Sequence, residues 1–436
     1  MFLKAFFANI ILTCDPQMRI FRDAWLVVDE NGIIVNISKS PPKDVEEKSI
    51  FKHSLIMPGF VNTHTHVPMT ILRGLKDDVD LKEWLEKYIF PAEAKLTGDD
   101  IYWGALHGIA EMLSSGITTF NDMYYFEERI ADAVLKAGVR AMLSRGILDI
   151  TGNTEEAIKA TNEFLNYVKR LWHTKKYSKN HIFFAYGPHA PYTCSKELLM
   201  RVREMANDTK FRIHIHIAET KWEFTTFKER HGKTPIEYLD SIGFLGPDVM
   251  AAHVVWTTDR DLEILARRKV KVLHNPTSNL KLASGIARIP EMLEKGITVG
   301  LATDGPASNN RLNMFREMLM AALIHKGSKL DPKLMPAKTV IRLATIEGAK
   351  VLGLERYVGS LEPGKFADFV VINLKTPYAT PFHDIYSMLV YTLERDSVEA
   401  TYVGGKCVWK KDVGPTSYDV WQVCEKVQKI RERLLT

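Results

Sequence analysis

At 436 residues the chain is several times longer than a domain of about 100–150 residues, so it can bury a large core or carry a large barrel beside a smaller module. Apolar residues at 46% and charged residues at 25% exclude a disordered or fibrous polymer. A formal net charge of +5, spread over 58 basic and 53 acidic residues, offers no cationic stripe for nucleic acid.

The opening run MFLKAFFANIILTC is too short for a membrane span of roughly 20 apolar residues, and no small-residue cleavage site follows it. It reads as a β-strand. Residues 24–28 and 33–35 are apolar runs around Glu30-Asn31-Gly32, a hairpin signal because Asn and Gly tolerate positive φ. From residue 56 the rhythm changes. Short β-branched runs at 56–62, 117–121, 139–144, 182–187, 212–218, 249–254, 270–274 and 297–303 alternate with helical patterns. One such pattern places Ile101, Ala105, Ile109 and Leu113 on one face and stops at Gly116. Eight alternations predict a (β/α)₈ TIM-like barrel over residues 58–355, with a doubly wound open sheet as the alternative. After residue 355 strands return at 369–372, 400–403 and 406–409, the last two around Gly404-Gly405. Residues 1–57 and 356–436 are therefore expected to build one small β-sandwich module from both chain ends. A final amphipathic helix is expected from about Tyr418, with Val420, Val423, Val427, Ile430 and Leu434 on one side. No span-length apolar run occurs, and Cys14, Cys194, Cys407 and Cys424 lack Cys-x-x-Cys spacing. A cytoplasmic protein with reduced thiols and no membrane or nucleic-acid partner is expected.

The chemistry-bearing residues gather at strand ends. His64 and His66 lie two apart in PGFVNTHTH, so on a strand they point the same way, into the mouth of a barrel. Alone, His-x-His is equally a chance pair. His216 ends the fifth run, with Glu219 in the following turn; His214, deeper in the strand, reads as a hydrogen-bonded barrel histidine. His253 ends the sixth run. Asp304 ends the eighth, where a helix N-cap is the bland alternative. Four imidazoles and two carboxylates at one barrel edge suit a divalent cation and acid–base work.

These motifs, PGFVNTHTH, HIAET, AAHVV, HNPTSNLKLASGIA, ATDGPASNN and GSLEPGKFADFVVINL, resemble the amidohydrolase superfamily, and within it the methylthioadenosine/S-adenosylhomocysteine deaminases, over nearly the whole chain. The resemblance implies hydrolytic deamination of an adenosine-type nucleoside, such as 5′-methylthioadenosine, S-adenosylhomocysteine, adenosine or 5′-deoxyadenosine. It implies one divalent metal on His64, His66, His216 and Asp304. Zinc suits that ligand set, and iron or manganese would take it too. It further implies Glu219 as proton shuttle to the purine, His253 beside the attacking water, Asp304 as acceptor of the water's proton, Glu93 on the ribose hydroxyls, and His189 and Arg145 as substrate contacts. Glu219 and Asp304 also touch the substrate in this reading. A homo-oligomer is a family expectation. The chain departs from the pattern at residues 149–156, which hold no second Arg for a substrate carboxylate; that disfavours S-adenosylhomocysteine. Guanine or pterin deamination, triazine hydrolysis and a non-catalytic binding barrel are the rival readings. The zinc-dependent deaminase class built on His-x-Glu and Pro-Cys-x-x-Cys is disfavoured by the missing Cys-x-x-Cys.

Overall fold

The computed structural model describes residues 2–435 apart from residues 42, 44, 151 and 175. Thr151, in the segment without a second Arg, lies outside the described residues. Four strands open the chain: β1 (Leu3–Leu12), β2 (Ile20–Asp29), β3 (Ile34–Ser38) and β4 (Glu47–Pro58). Eight follow, each but the last separated from its successor by helical segments: β5 (Phe60–Thr65), β6 (Ile117–Tyr124), β7 (Arg140–Ile147), β8 (Ile182–Pro188), β9 (Arg212–Ile217), β10 (Val249–His253), β11 (Lys271–His274) and β12 (Val299–Leu301). The chain then adds β13 (Phe369–Asn373), β14 (Val398–Val403), β15 (Lys406–Lys410) and β16 (Gly414–Pro415), and ends in the helix Val420–Leu435.

Strands β5 to β12 form one sheet in chain order, and every pair in it is parallel. Side chains and single backbone bonds close it into a barrel. Asp304 N–H donates to the His64 carbonyl at 3.0 Å. Asn62 exchanges two bonds with Thr303, at 2.7 and 2.9 Å, and Thr63 Oγ1 donates to the Leu301 carbonyl at 3.0 Å. The expected barrel-plus-module architecture is therefore present, and the doubly wound alternative is not.

The other eight strands form a single mixed sheet in the order β16-β15-β14-β13-β4-β1-β2-β3. Its two chain ends meet where β13 pairs with β4. One face encloses a private core of Phe6, Leu26, Val28, Ile34, Phe369 and Val371. Alternate residues Leu55, Met57, Val370 and Ile372 face the barrel's own core, as the two-residue strand period requires. A buried ion pair, Arg140 Nε to Asp368 Oδ2 at 2.6 Å, also joins barrel to module.

The first barrel strand begins later than the run at 56–62 suggests. Ile56 to Pro58 belong to β4, and the chain changes sheet at Gly59. A Cβ there would lie 2.2 Å from the Thr118 side chain, so only glycine fits. The helix expected to carry Ile101, Ala105, Ile109 and Leu113 runs Gly98–Ser114, capped by Thr97 and Asp100 in a capping box. Among the described residues no helix is long and apolar enough to cross a membrane, and all four cysteines are free thiols.

Candidate active site

Strand polarity puts the C-terminal ends of β5, β8, β9 and β10 at one mouth, and the pleat turns their last polar side chains inward. His64 ends up fully buried, with His66 just above it. His64 Nε2 lies 3.2 Å from Asp304 Oδ1, and His66 Nε2 lies 3.5 Å from the same oxygen. His216 Nε2 is 3.3 Å from His66 Nε2. Two overlapping triplets, His64–His66–Asp304 and His64–His216–His253, each hold their ligand-type atoms within 4.8 Å of one another. The buried His64 Nε2 has no hydrogen-bond partner among the described residues. Each of these imidazoles uses its far nitrogen elsewhere: His66 Nδ1 donates to the Met123 carbonyl at 2.6 Å, His216 Nδ1 to the His189 carbonyl at 2.7 Å, and His64 Nδ1 meets His214 Nε2 at 2.7 Å. Converging Nε2 atoms backed by fixed partners are what a bound cation requires of its ligands and their supports. The residues present therefore fit a divalent ion.

Electrostatics agree. Burial holds His64 down at about 4 and pulls His66 and His216 below the ordinary imidazole value, so these rings are neutral near pH 7. Burial would raise the Asp304 carboxyl, but the neighbouring His64, with His253 and His66, holds it well below the usual range. Its Oδ2 accepts hydroxyl bonds from Ser278 at 2.6 Å and Ser308 at 2.8 Å, which leaves Oδ1 facing the histidines.

Glu219 sits opposite. Burial raises its carboxyl, and the neighbouring His253 opposes the rise; the His253 Nε2 to Glu219 Oε2 distance is 3.7 Å. His253 is pulled down by burial but pushed up overall by Glu219 and Asp304. Its Nδ1 contacts Asn279 Oδ1 at 2.8 Å. Glu223 fixes the turn beneath, accepting from the backbone N–H groups of Ala218 and Glu219 at 3.0 and 2.9 Å. Ala218, His253, Val254 and Asp304 all have positive φ, between 48° and 72°. Such strained non-glycine backbone concentrates where function fixes geometry.

These groups open into a cleft enclosing about 720 Å³ of empty space, solvent at its mouth included. Its lining includes His66, His189, His216, Glu219, His253, Asp304 and Glu93. Glu93 closes a helical segment that carries the π-helical turn Trp84–Ile89 across the mouth. It accepts from Tyr124 Oη at 2.7 Å. Burial raises its carboxyl to about 7, with the Tyr124 bond opposing. Beyond Glu93, a second chamber shares Phe90, Tyr124, Tyr125 and Leu148 with the cleft and adds Leu96, Ile101, Phe126 and Ile150. Burial lowers His189 to about 3, and its Nδ1 contacts Thr193 Oγ1 at 2.8 Å.

Arg145 stands apart from the other expected substrate contacts. It lies within β7, its guanidinium is 3.6 Å from Glu128, and it lines neither the cleft nor the chamber. Sequence reasoning missed Tyr124, Ser278, Ser308, Asn279 and Glu223. The two serines lie in HNPTSN and DGPASNN, polar runs directly after strand ends, and that placement was the available signal. His214 is a hydrogen-bonded barrel histidine, contacting His64 and, at 3.0 Å, Ser144 Oγ.

Comparison with known proteins adds identity to this geometry. The model of the amidohydrolase family matches residues 55–408. A 5′-deoxyadenosine deaminase of Methanosarcina barkeri is 45% identical over 98% of this chain and 97% of its own length. A 5-methylthioadenosine/S-adenosylhomocysteine deaminase of Thermococcus sibiricus is 46% identical over 87% of this chain and 88% of its own. Among solved structures, an adenosine deaminase from Xanthomonas campestris with bound zinc superposes with a TM-score of 0.91 at 30% identity, covering 99% of this chain and 98% of that one. With the family model spanning most of the chain and near full-length relatives at this identity, the chain belongs to the amidohydrolase family.

Proposed function

We propose that the protein hydrolyses the exocyclic amine of an adenosine-type nucleoside, giving the inosine analogue and ammonia. The observation that carries the reading is one cleft lined both by the His66–His216–Asp304 cluster with Glu219 and by Glu93. The relatives named for 5′-deoxyadenosine and methylthioadenosine support it.

In this reading His64, His66, His216 and Asp304 hold one divalent ion, zinc by analogy with the zinc-bound adenosine deaminase. When bound, such an ion lowers the pKa of water from 15.7 towards ~7 and supplies nucleophile at neutral pH. Asp304 accepts the attacking water's proton through the oxygen that faces the histidines. Glu219, whose burial favours the protonated form, donates to ring N1. His253, leaning towards its cationic form, hydrogen-bonds the attacking oxygen as charge develops on it. Two carboxylates pushed in opposite directions take opposite proton roles. His189 contacts the base. Glu93 accepts from the ribose diol, which places the 5′ carbon towards the apolar chamber. An uncharged 5′ substituent suits that lining better than an amino-acid tail.

An ammonia-release screen over adenosine, 5′-deoxyadenosine, methylthioadenosine, S-adenosylhomocysteine, guanine and cytosine tests the reading. Turnover confined to the adenosines is expected. Preferential release from guanine or cytosine would overturn it.

A further inference from the structure

Glu317 lies in the first turn of the helix Met314–Lys329, outside the cleft lining, with no exposed surface. A carboxylate so placed must be satisfied by donors. Its two oxygens are divided between two segments that follow barrel strands. Oε1 accepts from Asn309 Nδ2 at 2.8 Å, in the loop after β12. Oε2 accepts from the Thr277 backbone N–H at 3.2 Å, in the short helix Pro276–Lys281 after β11. Asn309 Nδ2 also donates to the Thr303 carbonyl at 2.6 Å, which fixes the residue before Asp304.

Each tethered residue adjoins a hydroxyl that holds Asp304. Ser308 precedes Asn309 and Ser278 follows Thr277, and both donate to Asp304 Oδ2. Asn279, one residue further, contacts His253 Nδ1. One buried carboxylate therefore ties together the two segments that orient Asp304 and His253. We propose that Glu317 is a positioning residue for the deamination, acting through Asn309 and Thr277 to keep the Ser278 and Ser308 hydroxyls on Asp304. The proposal rests on the function proposed above.

The chemistry of the two donors makes it testable. A carboxylate accepts both, whereas a glutamine accepts one and turns its own N–H₂ on the other. Glu317→Gln preserves shape and breaks one tether. Supports behind a metal-site residue are typically worth ~10–100-fold in activity or metal affinity, so kcat should fall by that order while KM stays within about twofold. The decisive measurement is a double-mutant cycle on the purified, metal-loaded enzyme. In the Ser278→Ala/Ser308→Ala background, Glu317→Gln should cost little more, because the hydroxyls through which it acts are gone. Asn309→Ala, which cuts the tether from the other side, should show the same loss of kcat and the same non-additivity, and stands in if Glu317→Gln fails to fold. An unchanged kcat, or an equal fold-loss in both backgrounds, overturns the proposal. Absence of deamination in the parent enzyme with every adenosine would instead overturn the underlying function.

Discussion

Glu93 offers a test of substrate recognition that separates it from every other titrating group. Its carboxyl is raised to about 7 by burial, so the charged form exists above that pH and is lost below it. A group titrating at about 7 is roughly nine-tenths ionised at pH 8 and roughly one-tenth at pH 6. An ionised acceptor on a diol is worth ~1.5–3 kcal/mol, or about tenfold to a hundredfold in kcat/KM. Lowering the pH from 8 to 6 should therefore cost a ribonucleoside about tenfold through Glu93 alone. Other groups titrate too, including those around the histidine cluster, and these affect all substrates alike. The informative quantity is the ratio of kcat/KM for a ribonucleoside to that for its 2′,3′-dideoxy analogue, which lacks the hydroxyls. Measured by ammonia release, that ratio should fall with decreasing pH. Glu93→Gln should make it low and flat, since a neutral acceptor remains at every pH. A ratio independent of pH in the parent enzyme, or unchanged by Glu93→Gln, would refute the assignment of Glu93 to the ribose.

Elemental analysis of protein purified without chelator should find about one divalent metal per chain, and stripping it should abolish turnover; full activity in folded, metal-free protein would exclude the cluster as a metal site. Glu219→Gln should retain metal and fold yet lose about 10²–10⁴-fold in kcat, the usual worth of a placed acid–base group; near-normal turnover would remove Glu219 from the mechanism. Because the chamber beyond Glu93 is lined by Leu96, Ile101, Leu148 and Ile150, with Arg145 turned to Glu128, methylthioadenosine should outperform S-adenosylhomocysteine in kcat/KM. A clear preference for the homocysteine tail would refute that argument and leave the deamination intact.

What was legible in the sequence was whatever depends on periodicity and on strand ends. The β-branched runs marked all eight barrel strands, and parity alone put His64 and His66 on one side. The boundaries that failed depend on distant contacts. The sheet change falls at Gly59, where only glycine clears the Thr118 side chain almost sixty residues on, and no local pattern announces it. Nor does propensity show why the last barrel strand is as short as Val299–Leu301: Thr303 and Asp304 leave the ladder because Asn62 and His64 hold them instead. The supporting hydroxyls were invisible for a related reason. Ser278 and Tyr124 are ordinary residue types whose importance lies in a partner 26 or 31 positions away, and a single polar residue carries no period.

The cluster also accounts for why a cation, and not another hydrogen-bond network, suits its centre. The Ser144 hydroxyl donates to the Asp122 carbonyl at 2.6 Å, so its oxygen is left to accept from His214 Nδ1 at 3.0 Å. With its proton on Nδ1, neutral His214 presents a lone pair at Nε2, and His64 Nδ1 must donate to it across 2.7 Å. That leaves a lone pair on His64 Nε2, the buried atom without a hydrogen-bond partner. The carbonyl partners of His66 and His216 impose the same tautomer, since a carbonyl can only accept. Three imidazole lone pairs and a carboxylate oxygen then face one another within a few ångströms, with no proton shared among the neutral rings. Facing lone pairs repel and gain nothing from one another; a divalent ion would satisfy all of them at once. The tautomers that would let the centre hold a cation are thus set outside it, by a serine, a barrel histidine and two backbone carbonyls.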